Sequence, residues 1–74
     1  MTEKDKQNLK QLQVYENYII NDNRRKFYQE IMVIRFKNCF HCQVIGQTHS
    51  LYSLKKRTCY SIEEIEHKIN KYIF

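Results

Sequence analysis

The chain has 74 residues, of which 42% are apolar, and a formal net charge of +5. A chain of this length forms one small domain with a limited core, because it buries only about 60% of the surface that it exposes when unfolded. The apolar fraction excludes a disordered tail, and no apolar run approaches the ~20 residues of a transmembrane helix. We therefore expect a single domain, residues 1–74, with residues 1–5 open to fraying.

The first residues of the chain indicate where the protein acts. Residues 1–6 are mostly charged and lack the apolar segment of a secretory signal peptide. This favours a cytoplasmic protein that does not associate with a membrane. Three cysteines without such a signal predict free thiols rather than disulfides.

Residues 3–20 predict the first helix. Thr2 followed by Asp5 is a typical N-cap arrangement, and the sequence 21–23, Asn-Asp-Asn, favours a turn that ends the helix. Apolar residues at a spacing of three to four support this prediction. They are Leu9, Leu12, Tyr15 and Ile19.

Residues 27–60 predict three strands, because they contain three runs in which apolar and polar residues alternate. We expect strands over Phe27–Phe36, over Phe40–Ile45 and within Leu51–Tyr60. The link 37–39 suits a three-residue hairpin loop with Asn38 or Cys39 in the left-handed conformation. The apolar residues occupy even positions: Tyr28, Met32, Ile34 and Phe36, then Phe40, Cys42 and Val44, then Tyr52, Leu54 and Tyr60.

The last element is a helix that begins with a capping box over residues 61–64, Ser-Ile-Glu-Glu. One apolar stripe at helical spacing follows: Ile62, Ile65, Ile69, Tyr72 and Ile73. The sequence thus predicts an α+β fold, α-β-β-β-α. In this fold a three-stranded antiparallel meander is flanked by an N-terminal and a C-terminal helix, and the C-terminal helix packs on one sheet face.

This order of elements resembles that of double-stranded-RNA-binding domains, although the start of the last helix is acidic here where those domains are basic. Three strands followed by a helix also resemble the arm-site DNA-binding domains of tyrosine recombinases, which put a sheet face into the major groove. Helix-sheet-helix units of this size are similar to phage-encoded inhibitors such as anti-CRISPR proteins. These resemblances imply partners that are nucleic acids or nucleoprotein enzymes.

The positive charge is concentrated in the predicted sheet. Residues 24–60 carry eight basic side chains against one acidic side chain, a net +7, whereas residues 1–23 and 61–74 each carry −1. Such asymmetry indicates an anionic partner. The candidate binding residues are Arg24, Arg25, Lys26, Arg35, Lys37, His41, Gln43, Lys55, Lys56 and Arg57.

The register predicted from the even positions sets which of these residues lie together. Ile34 is expected opposite Cys42, and Phe36 opposite Phe40. On the other face, Arg35, His41 and Arg57 are expected to form one cross-strand row, and Val33, Gln43 and Lys55 the next. Glu30 is expected to face away from both rows.

The cysteines allow two interpretations, a zinc site or packed free thiols. Cys39, Cys42 and Cys59, with His41 and His49, contain suitable ligand types. However, residues three apart on a strand point to opposite faces, so Cys39 and Cys42 do not converge. We expect Cys42 in the core and Cys39 opposite Cys59 on the outer face, with no bound metal and no cofactor. No catalytic constellation is present in the sequence, so we expect a protein that is not an enzyme.

Two functions follow as expectations. The first is a small binding protein, of the kind that phages or mobile elements encode, whose basic sheet face engages nucleic acid or a nucleoprotein complex. The alternative is a protein–protein inhibitor of a host enzyme, similar to an anti-CRISPR protein, that docks through the sheet edge or the first helix. The oligomeric state is open.

Overall fold

The computed structural model describes residues 1–22, 29–47 and 56–71. Over these residues the elements are α1 (Glu3–Gln11), β1 (Asn17–Asp22), β2 (Gln29–Arg35), β3 (Phe40–Gln47), β4 (Lys56–Cys59) and α2 (Ile62–Asn70). The strands form one antiparallel sheet in the order β1-β2-β3-β4. The predicted α+β fold, with an antiparallel sheet and two helices, is confirmed. The prediction of three strands is wrong, because the described sheet has four.

The additional strand comes from the second half of the predicted first helix. α1 has the expected cap: Thr2 Oγ1 accepts a hydrogen bond from Asp5 N at 3.1 Å, and Asp5 Oδ2 accepts one from Thr2 N at 2.9 Å. The helix ends at Gln11, and residues 17–22 form β1. The prediction of a helix over 3–20 is therefore wrong beyond Gln11.

The reason lies in the residue types that follow α1. Val14, Tyr15, Tyr18, Ile19 and Ile20 are β-branched or aromatic, and such side chains fit a pleated sheet better than a helix. β1 pairs along its whole length with β2 and buries Ile20, which is 1% exposed. Tertiary pairing thus prevails over the thin helical stripe.

β2 uses the opposite face from the one predicted. Ile31 and Val33 are fully buried, whereas Met32 and Ile34 are only half-buried. As a result Val33, not Ile34, lies opposite Cys42, and the predicted pairing of Phe36 with Phe40 is replaced by Arg35 with Phe40. The sequence 31–34 is apolar at every position, so alternation could not indicate which residues face the core.

Two further details of the hairpin differ from the prediction. The loop between β2 and β3 contains four residues, 36–39, and Phe36 N donates a hydrogen bond to Cys39 O at 2.8 Å. Asn38 and Cys39 do not adopt the predicted left-handed conformation, because Tyr15 is the only non-glycine residue with positive φ in the described part of the chain. β3 extends to Gln47, beyond the predicted end, with a bulge at Ile45.

The core lies between the helices and one sheet face, which we call the covered face. Leu9 and Leu12 from the α1 region and Ile65 and Ile69 from α2 belong to one buried cluster. The strands contribute Ile20, Ile31, Val33, Cys42, Val44 and Cys59.

The C-terminal helix agrees with the prediction in its N-cap and its buried face, and the predicted stripe residues Tyr72 and Ile73 lie outside the described residues. Ser61 Oγ accepts a hydrogen bond from Glu64 N at 3.0 Å, and Ile65 and Ile69 are fully buried. Lys6 Nζ lies 2.9 Å from Glu66 Oε2 and joins α1 to α2 across the covered face. In the ranges that the structure describes, neither helix has the length and apolar character to cross a bilayer.

Candidate binding face

Neither of the two described helices packs on the second face of the sheet, and we call it the open face. Its side chains alternate with the buried ones along each strand. They are Asn17, Ile19 and Asn21 of β1, Glu30, Met32 and Ile34 of β2, His41, Gln43 and Ile45 of β3, and Lys56 and Thr58 of β4.

Two cross-strand rows form the middle of the open face. One row runs Ile19, Met32, Gln43, Lys56, and the next runs Asn17, Ile34, His41, Thr58. The first row therefore changes from apolar side chains on β1 and β2 to polar and basic side chains on β3 and β4, whereas Ile34 is the apolar member of the second row.

A hollow of about 270 Å³ lies over β2, β3 and β4, and we call it the central hollow. Its apolar side comes from Met32 and Ile34, and its polar side chains include donors, acceptors and a lysine cation. Six residues of the open face line it: Met32, Ile34, His41, Gln43, Lys56 and Thr58.

Four of the predicted binding residues line this hollow, and three of them, His41, Gln43 and Lys56, lie on the open face. His41 and Lys56 are exposed, and Gln43 is half-buried between them on the same face. Lys56 makes no ion pair with any described residue. A cation that no carboxylate neutralises remains available to an anionic ligand.

The predicted row of Arg35, His41 and Arg57 is wrong. Arg35 lies opposite Phe40, and its Nη1 donates a hydrogen bond to Leu12 O at 2.6 Å. The guanidinium thus holds the C-terminal end of α1 against the sheet. The shift of β2 by one position, described above, moves Arg35 to the covered side.

Arg57 also has a different place from the one predicted. It lies opposite Cys42, at a position of the short strand β4 that alternates with the open-face positions Lys56 and Thr58, and its side chain is exposed. Its Nη1 donates to Lys56 O at 3.4 Å, and the residue contributes to the wall of the central hollow. Arg57 is therefore beside the hollow, although it is not in a row with His41.

The second predicted row is wrong as well. Val33 is buried opposite Cys42, and the strand neighbours of Gln43 are Met32 and Lys56. Glu30 alternates with Met32 and so lies on the open face, contrary to the prediction. It pairs with Asn21 and Gly46, so it lies beyond the row that contains Lys56.

The other predicted binding residues are distributed as follows. Lys37 is exposed in the β2–β3 loop and lines a second hollow of about 190 Å³ with Arg35, Asn38 and Tyr60. Arg24, Arg25, Lys26 and Lys55 lie outside the described residues.

A row of three aromatic side chains was not predicted, and we call it the aromatic row: Tyr15, Phe36 and His41. The ring centroids of Tyr15 and Phe36 are 5.7 Å apart at an interplanar angle of 80°, and those of Phe36 and His41 are 4.3 Å apart at 44°. The row leads from the turn after α1 to the wall of the central hollow. The strand propensity of residues 14–20 is the sequence signal that the helix ends before Tyr15, which then lies in the turn between α1 and β1.

Tyr18 belongs to the covered side, where it is half-buried. Its hydroxyl donates a hydrogen bond to Asp5 Oδ1 at 2.6 Å and accepts one from Asn8 Nδ2 at 3.3 Å. Burial acts to raise the pKa of Asp5, but the hydrogen bonds from Tyr18 and Thr2 outweigh it and lower that pKa. The hydrogen bond to Asp5, and then burial, raise the pKa of Tyr18. This network joins α1 to β1.

The cysteines do not form a metal site in the described part of the chain, where no three His, Cys, Asp or Glu side chains converge. Cys59 is fully buried beside Cys42, with the two Sγ atoms 3.9 Å apart, so the predicted outer-face pairing of Cys39 with Cys59 is wrong. The hydrogen bond that the Cys42 thiol donates to Cys59, and then burial, raise the pKa of Cys42. His49 lies outside the described residues.

Comparison of the chain with protein-family models finds no match, and neither do searches of curated proteins and of solved structures.

Proposed function

We propose that the protein is a non-catalytic, cytoplasmic binding protein whose open face engages nucleic acid, either free or in a nucleoprotein complex. The observation that carries this proposal is the central hollow. It combines an apolar side with hydrogen-bonding groups and the lysine Lys56, which has no carboxylate partner among the described residues. Phosphate binds such cations, whereas base edges bind Gln, His and Thr side chains.

The charge distribution supports the same partner. Lys56 and Arg57 follow one another on β4, and Lys37 is exposed in the β2–β3 loop. The described ion pairs involve Lys6, Glu3 and Glu66, which lie on α1 and α2. The helix side thus neutralises part of its charge internally, whereas Lys37, Lys56 and Arg57 take part in none of the described ion pairs.

The proposal is tested by measuring binding to labelled oligonucleotides over a range of salt concentrations. We expect affinity to fall with salt, at a log–log slope of about 0.7–0.9 per phosphate contact. Lys56→Ala with Arg57→Ala should weaken binding and reduce that slope. Lys4→Ala with Lys10→Ala removes the same charge from exposed positions on α1 and serves as the matched control.

Two results would contradict the proposal. One is an unaltered protein that fails to bind DNA and RNA at low salt. The other is an equal loss of affinity in the β4 variant and the α1 control, because net charge rather than the open face would then govern binding.

A second candidate, inhibition of a host enzyme by protein–protein contact, is favoured by the two edge strands. Edge strands usually carry charges or proline that prevent pairing with another chain. β4 has Lys56 and Arg57, whereas β1 has neither Lys, Arg nor Pro over residues 17–22, and its Ile19 is 41% exposed. An extended segment of a partner could add to β1. A stoichiometric protein complex that survives nuclease and high salt would support this candidate over nucleic-acid binding.

A further inference from the structure

Tyr15 combines a strained backbone conformation with an exposed aromatic side chain. Its φ is 71°, a left-handed conformation that costs free energy for any residue with a Cβ atom. Its side chain is also 68% exposed, so burial of the ring does not offset this cost. Strain of this kind persists where surrounding structure imposes it, and it is concentrated at functional sites.

The surrounding structure does impose this conformation. Tyr15 N donates a hydrogen bond to Arg35 O at 2.6 Å, and Arg35 N donates to Glu16 O at 3.0 Å. Glu16 N and Gln13 O, 3.0 Å apart, close the turn from the other side. These bonds attach the turn to the end of β2, so the Tyr15 ring is held next to Phe36.

The aromatic row therefore extends the open face beyond the strands. From Tyr15 it passes through Phe36 to His41, which lines the central hollow with Ile34. Rings and apolar side chains thus follow one another along this end of the sheet. Lys37 adjoins Phe36 in sequence, and Lys56 lies on the far wall of the hollow.

This arrangement distinguishes between the two forms of nucleic acid. A duplex stacks its base faces inside, and it presents phosphates and base edges, which are polar, to a protein surface. Such groups would leave the aromatic row and Met32 without apolar contacts. An unpaired strand presents its base faces, which stack on aromatic side chains, while its phosphates contact nearby cations.

We propose that the open face binds single-stranded nucleic acid in preference to duplex, with one base stacked on Tyr15 and a neighbouring base in the central hollow. This inference rests on the proposed function and adds that the bound nucleic acid is single-stranded. DNA and RNA share the base faces and phosphates on which it depends, so both are probes.

The test compares dye-labelled oligo-dT and oligo-U, each of about 15 nucleotides, with a duplex of the same length at one low salt concentration. The variant is Tyr15→Gly, which removes the ring and keeps the positive φ at no steric cost. Tyr15→Phe retains the ring, and Val14→Ala truncates the exposed neighbouring side chain as a control.

We expect the unaltered protein to bind a single strand more tightly than the duplex. Tyr15→Gly should lose about 5- to 150-fold in single-strand affinity, which is the range for one stacked base. Tyr15→Phe and Val14→Ala should bind within about twofold of the unaltered protein. Thermal melting should show Tyr15→Gly to be at least as stable as the parent, since the backbone strain is relieved.

Two results would overturn this inference alone, and a third would contradict the proposed function. Equal or tighter binding of the duplex would overturn the inference and leave the proposed function standing. Unchanged single-strand affinity in Tyr15→Gly would overturn it in the same way. Absence of binding to all three probes would contradict the proposed function itself.

Discussion

The covered face and the open face of the sheet both carry aliphatic side chains, but these side chains differ in what they contact. Ile20, Ile31 and Val33 on the covered face are at most 1% exposed, because α1 and α2 pack on them. Ile19 and Ile45 on the open face are 41% and 39% exposed. The apolar side chains of one face are used for stability, whereas those of the other remain accessible to a partner.

The difference is clearest within β2, since a single strand supplies both faces. Ile31 and Val33 point to the helices, and Met32 and Ile34 point to the central hollow. A central strand that is apolar on both sides is expected where both faces are covered. In this chain the described helices cover only one face, and Met32 and Ile34 on the other face stay half-buried. We propose that a partner contacts this apolar surface.

The largest expected difference is in thiol reactivity, between the β2–β3 loop and the core. Cys42 and Cys59 are buried with their Sγ atoms 3.9 Å apart, whereas Cys39 is half-buried in the β2–β3 loop. Alkylation of the native protein should modify Cys39 at least about 1000-fold faster than the other two, because buried thiols react only after the structure opens. Mass spectrometry of a timed reaction measures this. Equal rates at all three sites would mean that β4 does not pack on β3 as described.

Adjacent isoleucines in β1 provide a matched pair for the two faces. Ile20→Ala should reduce the free energy of unfolding by about 2–5 kcal/mol, as truncation of a buried aliphatic side chain does. Ile19→Ala, at an open-face position, should cost less than about 1 kcal/mol. Denaturant unfolding of both variants measures the difference. Similar losses at both positions would show that the open face is covered in the isolated protein.

Two basic residues of the sheet should differ in the same way. Arg35→Ala should cost about 1.5–3 kcal/mol, because it removes the hydrogen bond from the guanidinium to Leu12 O. Lys56→Ala should stay within about 0.5 kcal/mol, since this side chain has no described ion-pair partner. Urea midpoints of the two variants measure this. A stable Arg35→Ala variant with impaired oligonucleotide binding would return Arg35 to the binding residues.

The smallest expected effect concerns the pH dependence of the α1–β1 contact. The pKa of Asp5 is lowered in the folded state, so its contribution to stability is complete above the unfolded pKa of about 3.9. That contribution is lost as the pH falls through the lower folded pKa. Asp5→Asn should therefore flatten the dependence of the unfolding free energy on pH at acid pH. It should leave the slope of that dependence near neutral pH unchanged. Identical acid profiles for parent and variant would exclude Asp5 as a source of the pH dependence.

Local signals carried the sequence prediction where they were unambiguous. The capping residues Thr2 and Ser61 and the isoleucine stripe of α2 each depend on a few neighbours, and all three appear in the structure. In β3, the alternation of Phe40, Cys42 and Val44 placed His41 and Gln43 correctly on the open face.

The sequence prediction failed where the outcome depends on tertiary pairing. The all-apolar run 31–34 fits either face, so the register of β2 is set by which side the helices cover, and Arg35 was misplaced with it. In β4 the buried residue is Cys59, not the larger Tyr60, which is 71% exposed. Tyr15 was assigned to a helix because its neighbours fit a helical stripe.

Amide NMR of the isotope-labelled protein tests most directly whether nucleic acid binds on the open face. On titration with oligo-dT or oligo-U at low salt, we expect chemical-shift changes at Tyr15, over 32–37, over 41–43 and over 56–58. The exposed positions of α1 and α2 should remain unchanged. Changes confined to the helices or to the outer edge of β1, or no changes with either oligonucleotide, would contradict the account.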